Sequence, residues 1–136
     1  MSTQTTVKAI AKGVSLSPRK VSLVAALVRG RSVADALVIL QHTPKRPAKA
    51  VAKVIASAEA NAINNHGLMK DSLQISQLQV TAGPRLKRFN PAAMGRALPY
   101  LKRSSHIRVE VTGAVKPKKV TAEKPVTKTA AKKEAK

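Results

Sequence analysis

The stretch Gly83–His106, GPRLKRFNPAAMGRALPYLKRSSH, carries six basic residues and no acidic one. The six are Arg85, Lys87, Arg88, Arg96, Lys102 and Arg103. Its few apolar residues follow neither the helical period nor a clean strand alternation. With no face to bury, it cannot be held by a hydrophobic core. It is flanked, however, by two strand signals. Before it, LQISQLQVTAG alternates Leu78, Val80 and Ala82 with Gln77, Gln79 and Thr81. Leu73 and Ile75 are out of phase with that set, which predicts a bulge or a strand start near Ser76. After it, SSHIRVEVTG turns Ile107, Val109 and Val111 inward and His106, Arg108 and Glu110 outward. Two strands that pair, joined by ~20 residues of basic, core-less sequence, predict a long β-hairpin at about residues 83–103. With Asn90-Pro91 and Gly95 near its turn, each arm projects ~25–30 Å at ~3.3 Å per residue. A lone two-stranded ribbon is marginally stable in water. It is therefore expected to be mobile when free and ordered when a partner clamps it.

The totals say what kind of partner. Among 136 residues, Lys and Arg number 26 against 6 Asp and Glu, a net charge of +20. Such a charge repels itself and makes sense when a polyanion neutralises it. Nucleic acid is the first candidate and an anionic membrane surface the second. Residues 72 to 109 contain no acid at all, whereas a solvated surface normally mixes signs. Arginine suits phosphate because its donors form a fixed fork. One Phe, one Tyr and no Trp argue against reading bases by stacking them on an aromatic sheet face. The absence of cysteine rules out disulfides and thiolate metal sites and is compatible with a reducing cytoplasm.

The rest of the chain supplies a body. Thr6–Lys12 alternates Val7, Ala9 and Ala11 with Lys8, Ile10 and Lys12, a short half-exposed strand. The hydroxyl-rich, basic N-terminus resembles a transit peptide in composition, but a strand that starts at Val7 leaves no room for a removable leader. Ser17-Pro18 opens a helix whose stripe is Val21, Val24, Ala25 and Val28, widened by Leu23 and Leu27, and Gly30 ends it. Ser32 and Asp35 form a capping box, Asp being a weaker partner than Glu, for a second helix that buries Val33, Leu37 and Leu40. Pro44 and Pro47 open a third helix to about Asn65, with Val51, Val54, Ile55, Ala58 and Ala62 inside and Lys45, Lys49 and Lys53 on another side. The expected fold is thus α+β: a small three-stranded antiparallel sheet packed on three helices, with a protruding β-hairpin. Residues 1–113 form one domain. From Ala114 to residue 136 the chain holds eight Lys, two Glu and almost nothing large to bury, which predicts a disordered basic tail.

Other motifs have plain structural readings. Arg29-Gly30-Arg31 between two capped helices looks like a helix-turn-helix. An αα-hairpin with a Gly cap explains it better, because Leu37, Val38, Ile39 and Leu40 make the second helix too apolar for a groove. Capping accounts for Ser17 and Pro18, leaving Arg19 and Lys20 free to touch phosphate. His42, His66 and His106 are scattered, no metal-ligand spacing is present, and no phosphate-binding glycine loop appears. No enzyme, cofactor, metal site or small-molecule substrate is expected. No apolar run reaches the ~20 residues that span a bilayer, and the Val- and Ala-rich helices lack the bulky anchors of a membrane-surface protein.

The wording GPRLKRFNPAAMGRA…LKRSSHIRVEV closely resembles the L-twenty-two family of large-subunit ribosomal proteins, bacterial type. SPRKVSLVAALVRG, SVADAL and AEANAINNHG resemble that family too, so the likeness runs from about Val7 to Gly113. It implies a structural, cytoplasmic component of the ribosome that binds large-subunit ribosomal RNA and supports assembly. The body would lie on the outer face of the subunit beside neighbouring ribosomal proteins. The hairpin would thread between RNA domains and line the nascent-peptide exit tunnel, near where macrolides act. On that resemblance, Leu86, Lys87 and Arg88 fall at the tunnel constriction, and Pro91, Gly95, Arg96 and Ala97 match the tip, with Ala92, Ala93 and Met94 between them. Ala92 and Met94 stand where the family usually has basic residues, and Phe89-Asn90 is less typical of the arm. The expected RNA-binding set is Arg19, Lys20, Arg85, Lys87, Arg88, Arg96, Lys102, Arg103, His106 and Arg108. The rival is an architectural, histone-like DNA-binding protein, for Arg88-Phe89-Asn90-Pro91 resembles Pro-tipped arms that wedge between base pairs. Such bodies dimerise through aromatic-rich interfaces, which this chain cannot build.

Overall fold

The computed structural model describes residues 5–115. In chain order they form β1 (Thr5–Val14), α1 (Pro18–Val28), α2 (Val33–His42), α3 (Arg46–His66), β2 (Gln74–Pro91) and β3 (Ala97–Gly113). Two single 3-10 turns, Lys70–Ser72 and Ala93–Gly95, lie before and after β2. The sheet is antiparallel with strand order β1-β3-β2, so the last strand is the central one. Thr5 pairs with Gly113 and Ala11 with Ile107, the third-strand pairing expected of residues 6–12. The α+β class and the three-stranded sheet on three helices hold. The tail expected from Ala114 lies, beyond Val115, outside the described residues.

One face of the sheet is covered. Val7 and Ala9 of β1, Ile75 and Leu78 of β2, and Ile107, Val109 and Val111 of β3 are buried against the helices. From α1 come Val21, Val24, Ala25 and Val28, and from α3 Val51, Val54, Ile55, Ala58 and Ala62. This core contains no aromatic ring; Val and Ala pack only when backbones approach closely. The third helix ends where Gly67 turns left-handed and its N–H donates to the Ala62 carbonyl.

Several local expectations need correction. Leu23 and Leu27 do not widen the buried stripe of α1: they are 61% and 47% exposed. The helix meets β2 with its narrow Val/Ala edge, and no described element covers the adjacent side. In α2 the buried face is Val33, Ala36 and Leu40, with Leu37 only half-buried. Ala36 wins because α2 lies close to its neighbours and an alanine permits that approach. Ala82 is exposed and does not extend the inward set of Leu78 and half-buried Val80, because the sheet is already leaving the body there. Half of the expected capping box forms. Ser32 Oγ accepts from Asp35 N at 3.1 Å and donates to Asp35 Oδ2 at 2.7 Å; the short carboxylate does not return to the Ser32 N–H.

Other expectations hold. The register of β2 on β3 slips between Ile75 and Gln77, which puts the bulge at Ser76. The Arg29-Gly30-Arg31 corner is structural: Gly30 N donates to the Ile75 carbonyl and Ile75 N to the Arg31 carbonyl. That stitches the α1–α2 turn onto the start of β2.

Ile55 is fully buried at the centre of the α3 stripe, and Leu-to-Ala-sized deletions in cores cost about 2–5 kcal/mol. Ile55→Ala is therefore expected to lower the urea-unfolding free energy of the full chain by about 2–5 kcal/mol. A loss below about 1 kcal/mol would contradict the central position of α3.

Candidate nucleic-acid interface

Beyond Ala82 and Ser105 the strands β2 and β3 leave the body and pair only with each other. Arg85 faces Arg103, Leu86 faces Lys102, Lys87 faces Leu101, Arg88 faces Tyr100, Phe89 faces Pro99, Asn90 faces Leu98 and Pro91 faces Ala97. Cross-strand partners share a face and successive residues alternate. One face therefore carries Arg85, Arg103, Lys87, Leu101, Phe89 and Pro99. The other carries Leu86, Lys102, Arg88, Tyr100, Asn90 and Leu98. On both faces the cations lie on the rungs nearer the body, with Leu86 and Leu101 among them, and the rungs beyond Arg88 carry none. From Arg85 to Pro91 the arm spans about 20 Å at ~3.3 Å per residue.

Like charges directly opposite each other on a ladder are destabilising. The Arg85–Arg103 rung has that arrangement, and no ion pair among the described residues relieves it. An anion seated on the rung would. The four acids among the described residues are all elsewhere: Asp35 caps α2, Glu59 pairs with Lys70 at 3.3 Å, Asp71 sits in the first 3-10 turn, and Glu110 lies on the inner half of β3. Among the described residues, nothing compensates the ribbon's charge.

The turn itself is tight. Ala92 N donates to the Arg96 carbonyl at 2.8 Å, and Met94 and Gly95 both take positive φ, 60° and 70°. Left-handed backbone is uncommon for a residue with a side chain, and it presents Met94 outward at 91% exposure. Arg96 and Ala97 follow at once, both exposed, and Ala93 is exposed while Ala92 is half-buried.

Each expected RNA-binding residue can now be placed. Arg85, Lys87, Arg88, Lys102 and Arg103 share the ribbon and are exposed, with Arg96 at its tip. Arg19 and Lys20 are exposed but sit on the first turn of α1, on the body. His106 is half-buried, not on an open strand face, and its Nδ1 accepts from Gly13 N at 2.9 Å. Arg108 is half-buried and already bound to Glu110, which also lies 3.8 Å from Lys8. These last two belong to the sheet's own fastening.

Sequence reasoning overlooked the aromatics. The single Phe and the single Tyr both sit on the ribbon, on opposite faces, Phe89 being 69% exposed. Scarcity argued against stacking, yet both rings were available for it; their presence inside an otherwise basic stretch was the signal. It also passed over Arg46, Lys49 and Lys53 of α3, which flank Ser15 and Leu16 in a shallow basic concavity.

Over residues 9–112 the chain matches the family described as Ribosomal protein L22p/L17e. The chain belongs to that family. Its likeness to Large ribosomal subunit protein uL22 of Thermoanaerobacter sp. and of Thermoanaerobacter pseudethanolicus is 52% identity over 104 residues, 76% of this chain and 94% of theirs. The protein of the same name from Desulforamulus reducens is 50% identical over 105 residues, 77% of this chain and 93% of its own. The L22p/L17e match spans body and ribbon alike, as the wording of both implied. Nothing in it supports the histone-like alternative. No helix among the described residues is long and apolar enough to cross a membrane.

Binding of a polyanion by k cations falls with salt in proportion to k. Arg85→Gln is expected to weaken ribosomal RNA binding and to lower the slope of log K against log salt by about one. Ser57→Gln, on exposed α3, should leave the slope unchanged in the same titration.

Proposed function

We propose that large-subunit ribosomal RNA grips the ribbon along both its faces and that the ribbon's tip lines the nascent-peptide exit tunnel. The chain is a structural constituent of the large ribosomal subunit and not an enzyme, which its place in the L22p/L17e family and its uL22 relatives support. Ribosomal RNA and neighbouring ribosomal proteins are its partners. It works in the cytoplasm, within the ribosome.

One observation carries the RNA reading. A ribbon two strands wide, with no core beneath it, bears cations on both faces at its base and an arginine-on-arginine rung, and no acid between Ser72 and Val109. Phosphates on both sides supply what that arrangement lacks. Arg85, Lys87, Arg88, Lys102 and Arg103 hold phosphate, Arg88 and Tyr100 lie side by side to clamp sugar and base, and Arg19 and Lys20 extend the grip from the body. Toward the tip, Phe89, Met94 and Leu98 are exposed beside few charges. Apolar groups on a wall are suited to a passing peptide because they hold it neither by charge nor by hydrogen bonds. Leu86 to Arg88 and Pro91 to Ala97 form that wall, with Arg96 its one cation beyond Arg88.

Titrating the intact chain, and a chain lacking Leu86 to Ala97, against large-subunit ribosomal RNA and duplex DNA over a salt series tests the RNA reading. Structured RNA should bind far more tightly than DNA, and the shortened chain should keep part of that preference. Equal affinity for the two would sink it. For the tunnel, a photocrosslinking residue at Met94 should capture nascent peptide in translating ribosomes, while one at Ser57 should not. Capture at neither, with the chain incorporated, would remove the tip from the peptide's path.

A further inference from the structure

Where the ribbon leaves the body, both neighbours of β3 carry an extra residue against the same stretch of it. On one edge Ala11 pairs with Ile107 and the next pair is Val14 with Ser105, so Lys12-Gly13 bulges. On the other edge Ala82 pairs with Ser105 and the next pair is Arg85 with Arg103, so Gly83-Pro84 bulges. A bulge interrupts the ladder, bends its strand and raises the local twist. Two of them across one central strand make an elbow, and an elbow with missing ladder bonds is free to pivot.

Side chains of β3 close each gap. His106 Nδ1 accepts from Gly13 N at 2.9 Å, a bond between residues 93 apart in sequence. Ser104 Oγ donates to the Pro84 carbonyl at 2.6 Å. The second bulge lies beside the same ring. A Cβ placed on Gly83 would lie 3.3 Å from His106 Nε2, 3.2 Å from the Ser104 carbonyl carbon and 2.6 Å from Ser104 Oγ. A side chain there would displace Ser104 Oγ and crowd the imidazole. Gly13, at φ +71°, takes the left-handed backbone that points its N–H at the ring. The imidazole thus lies between the two bulges, bonded to one and close beside the other.

We infer that His106 is a positioning residue whose imidazole, with Ser104, sets the direction of the ribbon before any RNA is bound. The bond needs an acceptor at Nδ1, because a protonated imidazole donates from both nitrogens. An asparagine places its amide oxygen at a reach similar to Nδ1; an alanine offers nothing. A ribbon aimed in advance loses less freedom on binding. The inference rests on the proposed RNA reading only for its purpose, since the aiming itself is a property of the free chain.

The chain has no cysteine, so Ser57→Cys on α3 and Ala93→Cys at the tip place two spin labels on the full-length protein. Without RNA, the label-to-label distance distribution should be narrow. His106→Ala should broaden it about twofold, as expected of a marginal two-stranded ribbon freed at its base, and His106→Asn should restore the narrow form. Equal widths for the native and Ala chains, or an Asn chain as broad as the Ala chain, would overturn the inference. Nitrogen-15 shifts of the His106 ring in the native-sequence chain give a test that needs no variant. The neutral ring must carry its proton on Nε2 and leave Nδ1 bare; a neutral ring protonated on Nδ1 overturns it. RNA titration of the same chains is a separate readout: loss of RNA preference with a narrow distribution refutes the RNA reading and leaves the aiming intact.

Discussion

Strand β3 is hydrogen-bonded on both edges, and only its inner half has a core to lie on. From Ser105 to Val111 every second residue is buried against helices. From Ala97 to Arg103 all seven side chains are exposed, and β2 is the sole neighbour. A two-stranded ribbon alone is barely stable; continuity of the backbone ladder lets the body stabilise what the ribbon cannot. Helices α1 and α3, with their Val- and Ala-rich stripes, hold the inner half of that strand, and α2 packs on them. β1 completes the second edge.

Charge follows the same division. Three of the body's carboxylates are engaged locally: Asp35 at the start of α2, Glu59 with Lys70, Glu110 with Arg108 and Lys8. Those pairs are partly exposed and contribute modestly, and no acid among the described residues pairs with the ribbon. Its cations repel one another across the Arg85–Arg103 rung and along both arms. A polyanion turns that repulsion into attraction, and counterion release adds a salt-dependent driving force. Ribosomal RNA is the polyanion we propose for the ribbon, in keeping with membership of the L22p/L17e family.

Much of this was legible from sequence because it is local. Ser17-Pro18 and Ser32 with Asp35 mark helix starts locally, the first through the fixed φ of Pro18 at the first helical position and the second through the Asp35 N to Ser32 Oγ bond. The phase change between Ile75 and Leu78 announced a bulge, since a period-2 pattern cannot change phase without an added residue. The basic run between two strand patterns announced the hairpin. What failed was less local. Leu23 and Leu27 are as apolar as a core residue, yet they stand exposed because no element among the described residues covers them. His106 and Arg108 do face away from the core as read, but their bonds to Gly13 and Glu110 come from tertiary structure alone.

Element order, helix caps, hairpin and the sign of the ribbon's charge were therefore determined by the sequence itself, through short-range backbone preferences and composition. Tertiary structure alone decided which cations remain free, which rings face outward, and how the ribbon is aimed. Those depend on register between strands up to 93 residues apart. A shift of one residue would turn every side chain of the ribbon to the opposite face, and no local pattern within the ribbon specifies that choice.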